Sequence, residues 1–192
     1  MFRLLLGSGI GIATLLGVVA APAYAADPPP HRVIFMLDVC DPATFNAPPA
    51  QGGFGPGTCA RTSPGITPTM LFQQLQLLHQ APAWRFIPPV VIASTTDPIQ
   101  VKNIGGEVHT FTEVEKFGGG FVPILNELSG NPVEAPECAA PPGEDNHVVP
   151  AGGSFTFTEG ESGQHLYQCC IHPWMRATLT VRPAPGLAAL AR

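Results

Sequence analysis

Three side chains that bind soft metals lie within seven residues of one another near the end of the chain. They are Cys169, His172 and Met175. A thiolate and an imidazole, with a thioether as a weak axial donor, are the ligands of copper sites that transfer electrons. Such a site has a trigonal plane of two imidazoles and one thiolate. A second histidine is therefore required, and it should come from a different strand.

His109 meets this requirement. It follows the turn formed by Gly105 and Gly106, at the start of a run of β-forming residues, and lies sixty residues before Cys169. The rest of the region also favours strands: short runs of β-branched and aromatic residues alternate with turns rich in Gly, Pro, Asp and Ser. The predicted strands include 86, 90–93, 99–104, 108–112, 154–158, 166–170 and 177–181.

A short helix is predicted before these strands. Thr67 is a suitable N-cap and Pro68 suits the first helical position, and Leu71, Leu75 and Leu78 would share one face up to about residue 79. Residues 113–147 give no clear pattern. The content of 23 Pro and 21 Gly, with 12% charged residues, favours a turn-rich β architecture over a helical bundle.

From about residue 86 to residue 181 the chain resembles the cupredoxins, the blue copper proteins. The spacing Cys-x2-His-x2-Met is most similar to that of amicyanin, and plastocyanin-like proteins share the general plan. The resemblance implies an all-β, Greek-key sandwich or barrel. It also implies one copper ion that cycles between Cu(I) and Cu(II), with His109, Cys169 and His172 in a plane and Met175 as the axial ligand.

Five cysteines leave at least one thiol unpaired. Neighbouring residues on a strand point to opposite faces, so only one of Cys169 and Cys170 can meet the metal. We favour Cys169 as the ligand, which leaves two disulfides, Cys40–Cys59 and Cys138–Cys170. Four cysteines allow three pairings, and a bond between Cys169 and Cys170 would abolish the site, so these alternatives stay open.

The first 25 residues have the pattern of a signal peptide. Arg3 precedes an almost continuous apolar run, and Ala23 and Ala25 have the small side chains that a signal peptidase recognises. We expect cleavage after Ala25 and a periplasmic or extracellular protein, the alternative being a membrane anchor. The predicted organisation is then a loop-rich N-terminal extension (26–66), a copper domain (67–183) and a C-terminal tail (184–192).

The net charge argues against one class of partner, and the positions of the remaining histidines argue against further metal ligands. The predicted mature chain has eight Lys and Arg residues against fourteen Asp and Glu, a net charge of −6, which argues against nucleic acid as a partner. His165 lies on the same strand face as Cys169 and is an alternative ligand, although a packed histidine is the more common outcome. His31, His79 and His147 have no partner at ligand spacing.

We therefore expect a monomeric one-electron carrier, not an enzyme, without a membrane span in its mature form. Transient redox protein partners would dock where the edge of His172 reaches the surface inside an apolar collar of Pro173 and Trp174. Two other functions stay open. A module for copper storage or delivery would need exposed, exchangeable ligands, and a copper enzyme would need a second copper or an open coordination position, for which the sequence offers no second His cluster.

Overall fold

A computed structural model describes residues 32–139, 146–184 and 186. The predicted signal peptide, residues 1–25, lies outside the described residues, as does most of the predicted C-terminal tail. Within the described part of the chain, no helix is both long enough and apolar enough to cross a bilayer.

In the described residues nine strands form two sheets. The strands are β1 (Arg32–Leu37), β2 (Arg85–Ile87), β3 (Val90–Ser94), β4 (Pro98–Asn103), β5 (His109–Val114), β6 (Asn146–Val149), β7 (Ser154–Thr158), β8 (Gly163–Gln168) and β9 (Arg176–Arg182). The first sheet has the order β2-β1-β4-β7 and the second has the order β3-β9-β8-β5-β6. The pairs β1–β4 and β3–β9 are parallel, and the other pairs are antiparallel.

Alternating apolar residues explain why the two sheets pack face to face. Every second residue of β1, β4 and β9 is buried, for example Ile34 and Met36 on β1 and Ile99 and Val101 on β4. These side chains meet those of the second sheet in one core, as expected for strands with one solvated face. The predicted all-β sandwich is confirmed, and in the described residues the two sheets do not join into a closed barrel.

In the part of the chain that the structure describes, four short helices and one 3-10 turn connect the strands. They are α1 (Pro42–Phe45), the 3-10 turn (Pro49–Gln51), α2 (Pro68–Leu78), α3 (Pro123–Leu128) and α4 (Pro136–Ala139). The helix α2 is the one predicted from the sequence, and the Thr67 side chain accepts the Met70 N–H at its start. Leu71 and Leu75 are buried as expected, whereas Leu78, in the last turn, is mostly exposed.

The N-terminal extension is built into the sandwich to a greater degree than the sequence suggests. Its first described residues form β1, which lies between β2 and β4 in the centre of the first sheet. The segment that follows is fixed by the disulfide between Cys40 and Cys59 and by a backbone bond from Ala60 N to Gly106 O of 2.8 Å. Residues 26–66 therefore do not form a separate appendage where the structure describes them.

The region without a clear sequence pattern, 113–147, contains the end of β5, both α3 and α4, and the start of β6. A second disulfide joins Cys138 on α4 to Cys170 just after β8. Together with Val114 and Ala135, these two cysteines form a small second core on the outer face of the second sheet. The structure thus has the disulfide pairing that the sequence analysis favours, and Cys169 is free.

Candidate metal centre

Two neighbouring strands bring the thiol and one imidazole together. His109 is the first residue of β5, and Cys169 directly follows the last residue of β8. Because β5 and β8 are antiparallel, the start of one lies beside the end of the other. His172 comes from the short connection between β8 and β9. Three of the four predicted ligands therefore meet at one end of the sandwich.

The three donor atoms are placed as a trigonal metal site requires. Cys169 Sγ lies 3.8 Å from His109 Nδ1 and 3.8 Å from His172 Nδ1, and all three atoms lie within 4.8 Å of one another. Bonds of about 2.3 Å to sulfur and about 2.1 Å to nitrogen, opened to about 120°, separate the two donors by about 3.8 Å. A thiolate with two neutral imidazoles also suits copper by donor type, so these residues fit the ion.

The connection from Cys169 to Met175 is a closed loop. Met175 N donates to His172 O at 2.8 Å, and Cys169 N donates to Met175 O at 3.0 Å. These two bonds fix the backbone on both sides of His172. Met175, the predicted axial ligand, is fully buried at the end of this loop.

Asp38 is a partner of the site that the sequence analysis missed. It follows β1 and is fully buried, and its Oδ2 lies 3.0 Å from Nε2 of His109. When Nε2 donates its proton to this carboxylate, Nδ1 of His109 is left free to bind a metal. A carboxylate behind a ligand histidine also fixes the orientation of the ring.

Backbone N–H groups hold Asp38 in place. Its carboxylate accepts hydrogen bonds from Cys40, Gly106 and Glu107 at 2.8–3.1 Å. Gly105 makes this approach possible, because a Cβ at that position would overlap the Asp38 carboxylate. Asn103 fixes the same turn by donating to the carbonyls of Glu107 and Val149. The turn before His109 therefore binds a buried carboxylate through its backbone N–H groups.

In the metal-free protein, Asp38, His109 and Cys169 shift one another's pKa values toward their charged forms. Burial alone would raise the pKa of Asp38, but the hydrogen bond with His109 and those from the backbone lower it to about 2. Burial alone would lower the pKa of His109, but Asp38 and Cys169 raise it to about 9. The Cys169 pKa is well below its usual value, because the bonds with both histidines outweigh the effect of burial. The two imidazoles therefore stabilise the thiolate form of Cys169 relative to the thiol.

His172 has its own acidic neighbour. Glu107 Oε2 lies 3.8 Å from His172 Nε2 and accepts a hydrogen bond from the indole N–H of the buried Trp84. Burial raises the pKa of Glu107 despite the attraction of His172. Each imidazole therefore presents Nδ1 to the sulfur and Nε2 toward a carboxylate.

Cys169 and Cys170 point to opposite faces of the second sheet, as the alternation along a strand requires. The Cys169 sulfur accepts the N–H of Thr110 at 3.4 Å, a contact typical of a thiolate. The Thr110 hydroxyl accepts the N–H of Cys170 at 2.7 Å, and Cys170 itself is bonded to Cys138. The free cysteine is thus the one that faces the two histidines.

The surroundings of His172 differ from the sequence-based expectation. His172 is only 2% exposed and Pro173 is buried, so the ring edge does not reach the surface inside a collar of these residues. Trp174 is half-buried, with its ring against that of His172 at a centroid distance of 5.4 Å. The N-terminal extension and α2 line a cavity beside His172. This contribution of the extension was not expected from the sequence.

His165, the alternative ligand, is engaged elsewhere. Its Nδ1 lies 2.7 Å from Glu113 Oε1 and 3.7 Å from Glu159 Oε2, and its Nε2 contacts the carbonyl of Glu161 at 3.1 Å. Tyr167 donates to Glu159 and to Glu113. This histidine is the centre of a half-exposed ion-pair network.

No protein-family model and no curated protein matches this chain. Among solved structures it is similar to a purple cupredoxin from Nitrosopumilus maritimus, with 12% identity and a TM-score of 0.41 over 79% of this chain and 99% of that chain. It is also similar to the amicyanin of Paracoccus versutus, with 18% identity and a TM-score of 0.33 over 51% of this chain and 73% of that one.

A third similar structure is the oxidized plastocyanin of Dryopteris crassirhizoma, with 19% identity and a TM-score of 0.35 over 52% of this chain and 89% of that one. Independently of these comparisons, the structure has two packed sheets and gathers two histidines and a free cysteine where β5 begins and β8 ends. The described chain is therefore a two-sheet β-sandwich with a candidate metal centre at one end of its second sheet.

Proposed function

We propose that the protein is a mononuclear type 1 copper protein that carries single electrons. The observation that supports this most directly is the convergence of Cys169 Sγ with the Nδ1 atoms of His109 and His172, at 3.8 Å each. When bound there, copper would supply reversible one-electron chemistry between Cu(II) and Cu(I).

The protein side chains would have distinct roles. His109, Cys169 and His172 would hold the copper ion, and Met175 would supply a weak thioether donor. Asp38 orients the His109 ring, and the Thr110 N–H stabilises the thiolate. The backbone bonds within residues 169–175 hold the ligand loop in one shape. A site with these constraints has little freedom to rearrange when its charge changes, which favours fast electron exchange.

Burial favours a carrier over a storage or delivery protein. His109 and Cys169 are fully buried and His172 nearly so, whereas a protein that hands copper on needs ligands that solvent or a partner can reach. An enzyme remains a less supported alternative. The second cluster of possible ligands, Glu113, Glu159 and His165, is half-exposed, and its histidine is already paired with both carboxylates.

We also propose that the protein is exported. Two disulfides are typical of proteins in oxidising compartments, which supports a periplasmic or extracellular location reached through the signal peptide of residues 1–25. In that compartment the protein would act as a monomer that exchanges electrons with transient redox partners.

Copper loading of the mature protein tests the proposal. One equivalent of Cu(II) should give an intense visible band from thiolate-to-copper charge transfer, and reduction should bleach it reversibly. Electron paramagnetic resonance of the oxidised form would report the narrow copper splitting of a thiolate site. Copper that binds without a visible band, or that binds equally well when Cys169 is alkylated, would contradict the proposal.

A further inference from the structure

A cavity of about 600 Å³ lies directly beside His172. Its walls include the disulfide-bonded segment around Phe54, helix α2 with Phe72, and the start of α3 with Leu125. The turn of residues 106–108 and residues 150–151 complete the lining. Ile171 and His172 close it on the side of the candidate metal centre. The volume is within the range of about 300–1,000 Å³ that is usual for small-molecule sites.

The walls are mostly apolar, and the polar side chains are few and close together. Thr58 is one of them, but its hydroxyl already donates to the Gly55 carbonyl at 2.8 Å. The others are Glu107 and His172, whose Oε2 and Nε2 atoms lie 3.8 Å apart. An apolar recess with a few convergent polar groups is the usual form of a ligand pocket.

Glu107 has capacity for a further hydrogen bond. Its Oε2 accepts the Trp84 indole N–H and lies 3.8 Å from His172 Nε2. A carboxylate can accept about four hydrogen bonds, so a donor in the cavity would find a free acceptor. The apolar remainder of a ligand would then contact Phe54, Phe72 and Leu125.

The shape of the site favours a small molecule over a protein surface. His172 lines the recess but is only 2% exposed, so a flat protein face placed over the opening would make little contact with it. A small planar ring that enters the recess could contact both the apolar walls and His172. We propose that this cavity binds a small aromatic molecule with one hydroxyl or amino group, which donates to Glu107 while the ring packs beside His172.

The test uses phenol as the probe and toluene as its analogue without the hydroxyl group. Both are titrated by calorimetry into the mature, metal-free protein, so the result does not depend on the proposed copper function. Phenol should bind at least tenfold more tightly than toluene. Glu107→Gln, which replaces the carboxylate with a weaker neutral acceptor, should reduce phenol binding several-fold and leave toluene binding unchanged.

Two matched substitutions locate the binding site. Ile124 lines the cavity and is 50% exposed, and Ile92 on β3 is 47% exposed and lies outside it. Ile124→Trp should fill the cavity and weaken phenol binding at least tenfold, whereas Ile92→Trp should leave it unchanged. Circular dichroism would verify that both variants fold.

Three results would overturn the proposal. One is that neither probe binds at millimolar concentration. The occupant of the recess would then be a side chain of a protein partner and not a small molecule. Another is equal affinity for phenol and toluene. The third is an equal loss of binding in Ile124→Trp and Ile92→Trp. None of these results would bear on the copper centre, which is tested separately by its visible band.

Discussion

Asp38 Oδ2 lies 3.0 Å from His109 Nε2, and both side chains are fully buried. The two residues are 71 positions apart in the sequence, and β1 and β5 belong to different sheets. Asp38 therefore links the sheets at the candidate metal centre. It fixes the imidazole with Nδ1 toward Cys169, the orientation in which His109 can bind copper.

Replacement of this carboxylate should weaken copper binding. Asp38→Asn keeps the size of the side chain but removes its charge, so that it holds the His109 N–H less strongly. Loss of such a partner usually lowers metal affinity by about 10- to 100-fold. Competition with a copper chelator would measure the change.

Asp97 offers a control for this experiment. It also has a lowered pKa, chiefly because of its hydrogen bonds with Ser94, but it belongs to the turn before β4 and contacts Arg32 instead of a candidate ligand. Asp97→Asn should leave copper affinity unchanged. If both variants lose affinity equally, Asp38 acts through general stability and not through His109.

The two adjacent cysteines should behave differently on substitution. Cys169→Ser should abolish the visible band, because the thiolate is the source of the charge transfer. The double variant Cys138→Ala with Cys170→Ala should keep the band. It should also lose about 3 to 4 kcal/mol of unfolding free energy, as the chain-entropy model gives for a loop of this length. Absorption spectra and urea denaturation separate the two effects, and a colourless double variant would reverse the ligand assignment.

Local patterns account for most of what the sequence predicts correctly. The helix α2 has its cap at Thr67 and its buried face at Leu71 and Leu75, and strands such as β4 and β9 alternate with a period of two. Cys169 and His172 are close in sequence, and His109 begins a strand after a turn, so local patterns were enough to single out the three residues that the structure brings together. The opposite orientation of Cys169 and Cys170 follows from the same alternation.

Residues that contact the candidate ligands from distant parts of the sequence could not be identified from local patterns. Asp38 and Glu107 have no characteristic spacing from the histidines, and their roles depend on how the sheets pack. Part of the cavity beside His172 is lined by a segment rich in Pro and Gly that has little periodicity of its own. The edge strand β6 has only four residues, too few for a clear alternation.

Met175 can be tested as the axial ligand. Met175→Leu conserves the volume of a fully buried side chain, so the fold should tolerate it. Loss of the thioether destabilises Cu(II) more than Cu(I), and the reduction potential should therefore rise. Each 59 mV corresponds to about 1.4 kcal/mol for one electron. Protein-film voltammetry measures the shift, and a potential that stays constant or falls would mean that Met175 only fills the core.

The turn before His109 should not tolerate a side chain at Gly105. A Cβ there would overlap the Asp38 carboxylate and approach its backbone N, so Gly105→Ala should cost about 1–3 kcal/mol of unfolding free energy and weaken copper binding. Gly160 is the matched control, because its Cβ would meet no atom within 4 Å. Urea denaturation should show Gly160→Ala to be neutral or slightly stabilising, and equal losses in the two variants would contradict the proposed steric cause.

The network around His165 should make stability depend on pH. Burial alone would lower the pKa of His165, but the hydrogen bond with Glu113, the charges of Glu159 and Glu113 and the Glu161 carbonyl raise it above 6.5. A histidine whose pKa is raised by folding stabilises the protein fully below the unfolded-state pKa, near about 6.5, and this contribution disappears as the pH rises through the folded-state pKa.

His165→Gln should therefore lower the unfolding free energy most at about pH 6, and the difference from wild type should shrink on the alkaline side. Glu159→Gln removes one of the two facing carboxylates and should reduce the same pH-dependent part without abolishing it. Urea denaturation of the metal-free proteins across this pH range provides the measurement. A difference between wild type and His165→Gln that is constant with pH, or that grows at alkaline pH, would show that His165 contributes by packing and not by its charge.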